Sequence, residues 1–299
     1  MFAQTDAENT DYTESFTLDR TYNSVGDKSR GLFGYGWSGA FEESLAKDGD
    51  DVFYYTGDGR RLRFEKDAGG YSCELAPELT LSEISAKDPQ DKKYVIEDED
   101  SREKRGFNAY GLLSSITDER NLSTKLSYTD DMKLKDITTP SGKVYQITAG
   151  DDGQISQIVT PAGYALKYTY EDNLLTSFTN EDGDTIRYEY DKEGHMTSWR
   201  DGNNVRQITN TYDEYGRVVK QVDAKGGVSK LSYDKSKTQI EDADGNDRTY
   251  TFDERMRTER RKTSEGSDKR VYNDRNDLVK ETDAAGNTVT YEYDEAGNL

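Results

Sequence analysis

Apolar and polar residues alternate along most of this chain. In TIRYEY, Ile186, Tyr188 and Tyr190 fall on one side of an extended backbone, and Thr185, Arg187 and Glu189 fall on the other. TVTYEY repeats the pattern with Val289, Tyr291 and Tyr293, and so do Leu126 with Tyr128 and Leu231 with Tyr233. Period-two alternation rich in β-branched and aromatic residues predicts half-buried strands. No stretch shows the 3.6-residue apolar spacing of a helix, so the expected elements are strands and turns.

The strands are punctuated at a fixed interval. An anchor residue, aromatic except at Ala149 and often followed by Asp, opens a turn at Phe107, Tyr128, Ala149, Tyr170, Tyr190, Tyr212, Tyr233, Phe252, Tyr272 and Tyr293. Successive anchors lie 21, 21, 21, 20, 22, 21, 19, 20 and 21 residues apart. The clearest copies are YDKEGHM from Tyr190, YDEYGRV from Tyr212 and YDEAGNL from Tyr293, with Asp191, Asp213 and Asp294 after the tyrosine; Asp234 and Asp253 hold the same place after Tyr233 and Phe252. A second cluster of Gly, Asp, Asn or Pro falls midway, as in TPSGK at Thr139, DAKGG at Asp223 and DAAGN at Asp283. Such clusters supply the positive φ angles and local hydrogen bonds of tight turns. Each repeat therefore reads as two strands and two turns, stacked on its neighbours. Nine repeats at two strands each would extend a sheet by roughly 86 Å. Twist forces so long a sheet to curl, so the expected architecture is all-β, one long curled antiparallel sheet forming a spiral or shell wall.

The front of the chain lacks this rhythm. Residues 1–11 read as a disordered tail, and 12–75 as a β-rich module containing FTLDRTYNS, GLFGYGWS and the hairpin VFYYTGDGRRLRFE. Residues 76–105 read as a connecting loop, with two of the four prolines, followed by a first hairpin; 106–299 are the tandem repeats. The last anchor is followed directly by Leu299, where a further strand is due, so the chain reads as a piece of a longer protein.

Composition narrows the function classes. Only 32% of residues are hydrophobic and 33% are charged, which alone would suggest disorder, but 22 tyrosines suit a packed, partly wet sheet face. A net charge of −20 argues against nucleic acid and anionic membranes as partners, and no segment approaches a membrane span. The N-terminus lacks the basic and apolar regions of a signal peptide. The single cysteine, Cys73, rules out an internal disulfide framework.

No motif supplies chemistry. DADGND at 242–247 fails the calcium-loop spacing, since Asp247 and Asp253 stand where Gly and Glu are needed, and it occupies a turn slot. The one histidine, His195, falls in a turn and precludes a two-histidine site. Aspartates that recur with the repeat read as turn caps, not as a glycosidase pair. Trp37, Trp199 and the tyrosine rows remain as candidates for stacking on sugars, against the alternative of cross-strand ladders. The expected catalytic, cofactor and metal sites are therefore none.

The tandem YD-x-x-G-x-L units, with the LDRTYNS and GLFGYGWS strings before them, resemble the Rhs/YD-repeat family, and the resemblance covers residues 12–299. Departures are Ala149 in place of an anchor aromatic, and Lys237, Met256 and Asn276 where the anchor turns carry Gly. The resemblance implies a bacterial protein that is secreted or displayed on the cell surface or wall. It implies a non-catalytic shell enclosing or presenting a C-terminal effector of the same chain, often a toxin. The family's self-cleaving C-terminal core is absent here, so no catalytic residue carries over. The alternative is a carbohydrate-binding adhesion module.

Overall fold

The structure is a computed structural model, and it describes residues 2–10, 15–25, 31–85, 87–294 and 297–299. Twenty-one of its strands form one antiparallel ladder, in strict chain order from Leu79–Glu83 to Thr288–Thr290. Every strand pairs with the next one in sequence, so each hairpin adds to the edge left by the last. The ladder is open. Among the described residues no backbone register joins its final strand to its first, although side chains near the two ends meet.

The anchor turn explains the repeat. At Tyr190 the Asp191 N–H donates to His195 O and the Gly194 N–H to Asp191 O. The Asp191 carboxylate accepts from the N–H groups of Glu193 and His195 at 3.0 and 2.8 Å. The fourth turn residue must be left-handed, and Gly194 has φ 83°. Met256 and Asn276 adopt the same conformation at φ 62° and 69°, so the turn survives without glycine. Lys237 differs: Asp234 pairs with it across a two-residue turn, so Lys237 is a strand residue with no left-handed constraint. At Ala149 the ladder continues, with Ala149 paired to Ile155. The midway turns use the same device, as Asp223 accepts from Lys225 N and Gly227 N.

Register slips beside the anchor residue. Glu189 pairs with Ser198 but Tyr190 pairs with Met196, and the same irregularity recurs at Tyr128, Tyr170, Tyr212, Phe252 and Tyr272. A bulge at most of the anchors, Tyr233 excepted, adds twist in one sense, which curls the ladder. The curl brings its ends together. Asn276 Nδ2 lies 3.4 Å from Glu78 Oε2, across 198 residues of sequence, and Arg275 lies 3.8 Å from Glu99.

Two expectations about the front of the chain are corrected. Residues 2–10 are a strand, Phe2–Thr10, paired with Ser15–Tyr22, which pairs in turn with Trp37–Gly39. The tail expectation failed because Phe2, Gln4 and Asp6 share the covered side, so the burial pattern is carried partly by polar residues; residues 1 and 11 lie outside the described residues. Within the expected loop, Leu79–Glu83 is the first strand of the ladder. Prolines at 77 and 89 flank it and mask its short LTLSE alternation. The expected hairpin is present as Asp51–Tyr55 and Arg61–Asp67, in a four-stranded sheet with Ser44–Asp48 and Gly70–Ser72.

The core lies where this module meets the first half of the ladder. Phe16, Leu18, Phe33 and Trp37 from the module bury against Ile137, Ile158, Leu166, Tyr168, Phe178 and Tyr188. Past Ser198 no described side chain is buried, so the same face of the later strands stays half-exposed.

Candidate functional site: the inner face and the module seated on it

The anchor tyrosines are tied to the preceding repeat by their hydroxyls. Tyr128, Tyr170, Tyr190, Tyr212 and Tyr233 donate to the carbonyls of Leu113, Ile155, Leu175, Met196 and Val218 at 2.6, 2.7, 2.9, 2.6 and 2.7 Å. Tyr272 and Tyr293 do the same to Thr258 and Leu278 at 3.2 and 3.0 Å. The accepting residue occupies the leucine position of the YD-x-x-G-x-L unit one repeat earlier, beside its bulge, except that Leu175 stands one residue nearer its anchor Tyr170. Burial pushes the Tyr212 hydroxyl up to about 12, so it stays a donor at physiological pH. Phe107 and Phe252 keep the ring and lose the bond. The turn aspartates have a separate task. Asp118 and Asp242 are held below the usual carboxylate range, chiefly by the backbone N–H groups of Leu122 and Asn246.

The module docks on this face through a charged pair buried among rings. Arg20 and Asp6 are closed off from solvent and joined at 2.6 Å. Tyr168 Oη donates to Asp6 at 2.8 Å, and Arg20 Nη2 donates to Tyr188 Oη at 2.7 Å. The guanidinium sits 4.3 Å from the Trp37 ring centre and 5.1 Å from that of Phe178. Burial raises the Asp6 carboxyl, and Arg20 only partly offsets it. Sequence reading missed this pair. Its signal is present in FTLDRTY, where Phe16, Leu18, Arg20 and Tyr22 occupy alternate positions and a charge stands in an otherwise apolar row.

Backbone contacts step along the anchor turns. Leu45 N–H bonds Gly111 O at 2.8 Å, Ile155 N–H bonds Leu32 O at 2.7 Å, and Tyr35 N–H bonds Asn173 O at 2.8 Å. Tyr22 Oη donates to Gly194 O at 3.2 Å and accepts from Met196 N–H at 2.8 Å. Among the described residues the module bonds no backbone group of the turn at 132–134, which lies between the first two of these contacts.

The two tryptophans weighed as ligand-facing belong to this internal packing. Trp37 is 3% exposed, donates from Nε1 to Tyr190 Oη at 3.0 Å, and packs on Tyr22 and Tyr188. Trp199 pairs across strands with Tyr188 and lies 5.4 Å from the Phe2 ring. His195 stacks on Tyr212 with Nδ1 at 3.1 Å from Asp191. Asp242 spends its oxygens on Asp244 N, Asn246 and Arg248. Among the described residues no cluster of three His, Cys, Asp or Glu side chains is placed to hold a metal.

A family model described as teneurin YD-shell matches residues 47–296, and one described as a domain of unknown function, DUF6531, matches residues 1–64. The chain is 31% identical over 224 residues to the tRNA nuclease WapA of Bacillus subtilis, and to the tRNA(Glu)-specific nuclease WapA of Bacillus subtilis subsp. natto. Each alignment covers 74% of this chain and 9% of the relative, so the chain spans about a tenth of the length of these proteins. Among solved structures, the Photorhabdus luminescens Tc holotoxin pore gives a TM-score of 0.40 at 13% identity, over 83% of this chain and 18% of the other. A TcdB2-TccC3-TEV crystal structure gives 0.42 at 12%, over 94% and 18%.

Proposed function

This chain belongs to the Rhs/YD-repeat family, and from that membership we propose that it is a non-catalytic segment of shell wall enclosing or presenting an effector carried by the same full-length protein. Its structural role as part of a YD shell comes with the family. The observation that carries the finer reading is the asymmetry of the tyrosine face. The module covers it over the first half of the ladder, and from Ile208 onward the same face is half-exposed and available to cargo. Side chains there mix Leu231, Ile240, Tyr250 and Phe252 with the ion pairs Arg261–Asp268 and Arg270–Glu281. Such a surface can pack against cargo through both apolar and charged side chains. The relatives' tRNA cleavage belongs to proteins of which this chain matches 9%, and the charge of −20 gives tRNA no footing here.

A secreted or surface location follows from the same reading. No helix among the described residues is long and apolar enough to cross a membrane. The adhesion alternative requires exposed aromatic rows, whereas Trp37 and Trp199 pack with the module.

The chain incubated with total tRNA should leave it intact. In the full-length gene product, the region after the repeats should resist protease until the ladder is unfolded. Cleavage of tRNA by this chain, or digestion of that region at the rate of an unfolded control, would overturn the reading.

A further inference from the structure

The two faces of the ladder differ in charge. Cross-strand partners share a face, and the one opposite the tyrosines gathers five bases between the strands Lys237–Glu241 and Leu278–Thr282. Lys237 and Arg260 flank Thr251 in register, and Lys262 pairs with Thr249 and Ser267. Lys269 stands opposite Arg260, and Lys280 pairs with Val271 and Thr290. Lys237 is half-exposed and the other four are exposed. None of the five makes an ion pair among the described residues. The acids of this face are Glu259, next to Arg260 at the bulge, and Glu241 and Asp247, paired with each other at its margin.

That arrangement is unfavourable in a chain with 60 acids to draw on and 40 bases. Like charges directly opposite one another destabilise a sheet. Yet Arg260 faces Lys269, and Lys220 faces Lys230 earlier on the same side. The tyrosine face of the same strands shows the alternative, since Arg261 meets Asp268 there and Arg270 meets Glu281. One face neutralises its bases within the fold, and the other leaves them unmatched.

The bases also recur along the ladder. Lys104, Lys125, Lys167, Arg187, Lys230 and Lys269 each stand three residues before an anchor, on the side away from its ring. One repeat is two strands, so this position returns about every 10 Å across the sheet. The net charge of −20 does not cancel such a track. Salt confines the field of an exposed charge to about 10 Å, and the turn aspartates lie at the strand ends.

What stands between the bases narrows the partner. Thr249, Thr251, Ser267 and Thr282 do, and no aromatic residue shares this face from Lys237 to Thr290. Ammonium, guanidinium and hydroxyl groups serve anionic oxygens, whereas a nucleic-acid strand takes rings on which its bases stack.

We propose that this face binds a flexible polymer of phosphates that carries no bases, laid across the strands along Lys237, Arg260, Lys269 and Lys280. The assignment stands apart from the shell reading, and its failure would leave that reading untouched.

The test is calorimetric titration of the whole chain with long-chain inorganic polyphosphate, repeated at rising NaCl. Saturable binding that weakens steeply with salt is expected. Lys262→Glu/Lys269→Glu should weaken it by about tenfold, since each lost base removes a phosphate contact. Lys192→Glu/Lys225→Glu makes the same change of net charge in exposed turns and should bind like the wild type. Lys269→Glu alone should bind more weakly and yet unfold at a higher urea concentration, because it sets a carboxylate opposite Arg260. That pairing separates a lost contact from a lost fold. No saturable binding, equal weakening by the two double variants, unchanged affinity in Lys262→Glu/Lys269→Glu, or tighter binding of oligothymidylate than of polyphosphate would each overturn the assignment.

Discussion

A tyrosine hydroxyl reaching back to the carbonyl of the previous repeat gives the aromatic of the YD motif a task beyond filling space. Hydrophobic reading explains an aromatic at that position, since Phe107 and Phe252 serve there too, but it does not explain why tyrosine predominates. Tyr212→Phe and Tyr233→Phe should each destabilise the chain by about 1 kcal/mol, measured by urea unfolding, because each strands a carbonyl beside a bulge. Phe252→Tyr should be neutral or stabilising. The turn residue Met256 gives a prediction of opposite sign. It is exposed and held at φ 62°, a conformation that costs a non-glycine residue about 1–2 kcal/mol, so Met256→Gly should raise the unfolding midpoint. The turn aspartates were legible in sequence because their spacing to Gly fixes the device. The buried Glu42 was not, since nothing in GAFEES separates a buried glutamate from a solvated one. Burial pushes its carboxyl up to about 8. The folded state therefore holds this proton more tightly than the unfolded chain, and the group's contribution is full below about 4.5 and falls as pH rises through 8. Thermal unfolding followed from pH 5 to 9 should show that loss, and Glu42→Gln should flatten it.

Among the elements, strands with regular alternation and flanking turns could be read directly, and the anchor spacing placed nearly every hairpin. Elements whose covered face is polar could not. Phe2–Thr10 buries Asp6 against Arg20, so a hydropathy pattern sees a tail where the structure has a strand. Leu79–Glu83 is short and bracketed by prolines, and its membership of the ladder depends on pairing with Lys92–Asp98. The module and the ladder are joined at the Arg20–Asp6 pair. Removing one member leaves an uncompensated buried charge, so Arg20→Ala should cost about 3–5 kcal/mol and release the module first. Fluorescence of Trp37, which lies over the guanidinium, should report that release before strand-rich circular dichroism is lost. Simultaneous loss of both signals at the wild-type midpoint would show that the pair does not hold the module.

For the whole molecule, the repeat period predicted a sheet too long to stay flat, and the structure shows how it bends. One bulge at each of most anchor residues accumulates twist until the turn at 273–276 returns to Glu78 and Glu99. What covers the tyrosine face was not legible, because alternation marks a face to be buried without naming what buries it. The module covers it, packing Trp37 and Arg20 against Tyr188 and not against the charged side. A wall that closes on itself is the premise of the shell reading, and Asp100 and Gly297 meet at the seam: a Cβ at Gly297 would lie 3.3 Å from Asp100 Oδ1. The direct measurement is cross-linking of an Asp100→Cys/Gly297→Cys variant with a short bismaleimide, on a gel that separates bridged from linear chains. Rapid intramolecular bridging at low protein concentration, lost in urea, is the predicted result. Bridging no faster than in the urea-unfolded chain would mean that the ladder does not curl back on its beginning, and the shell account would fail with it.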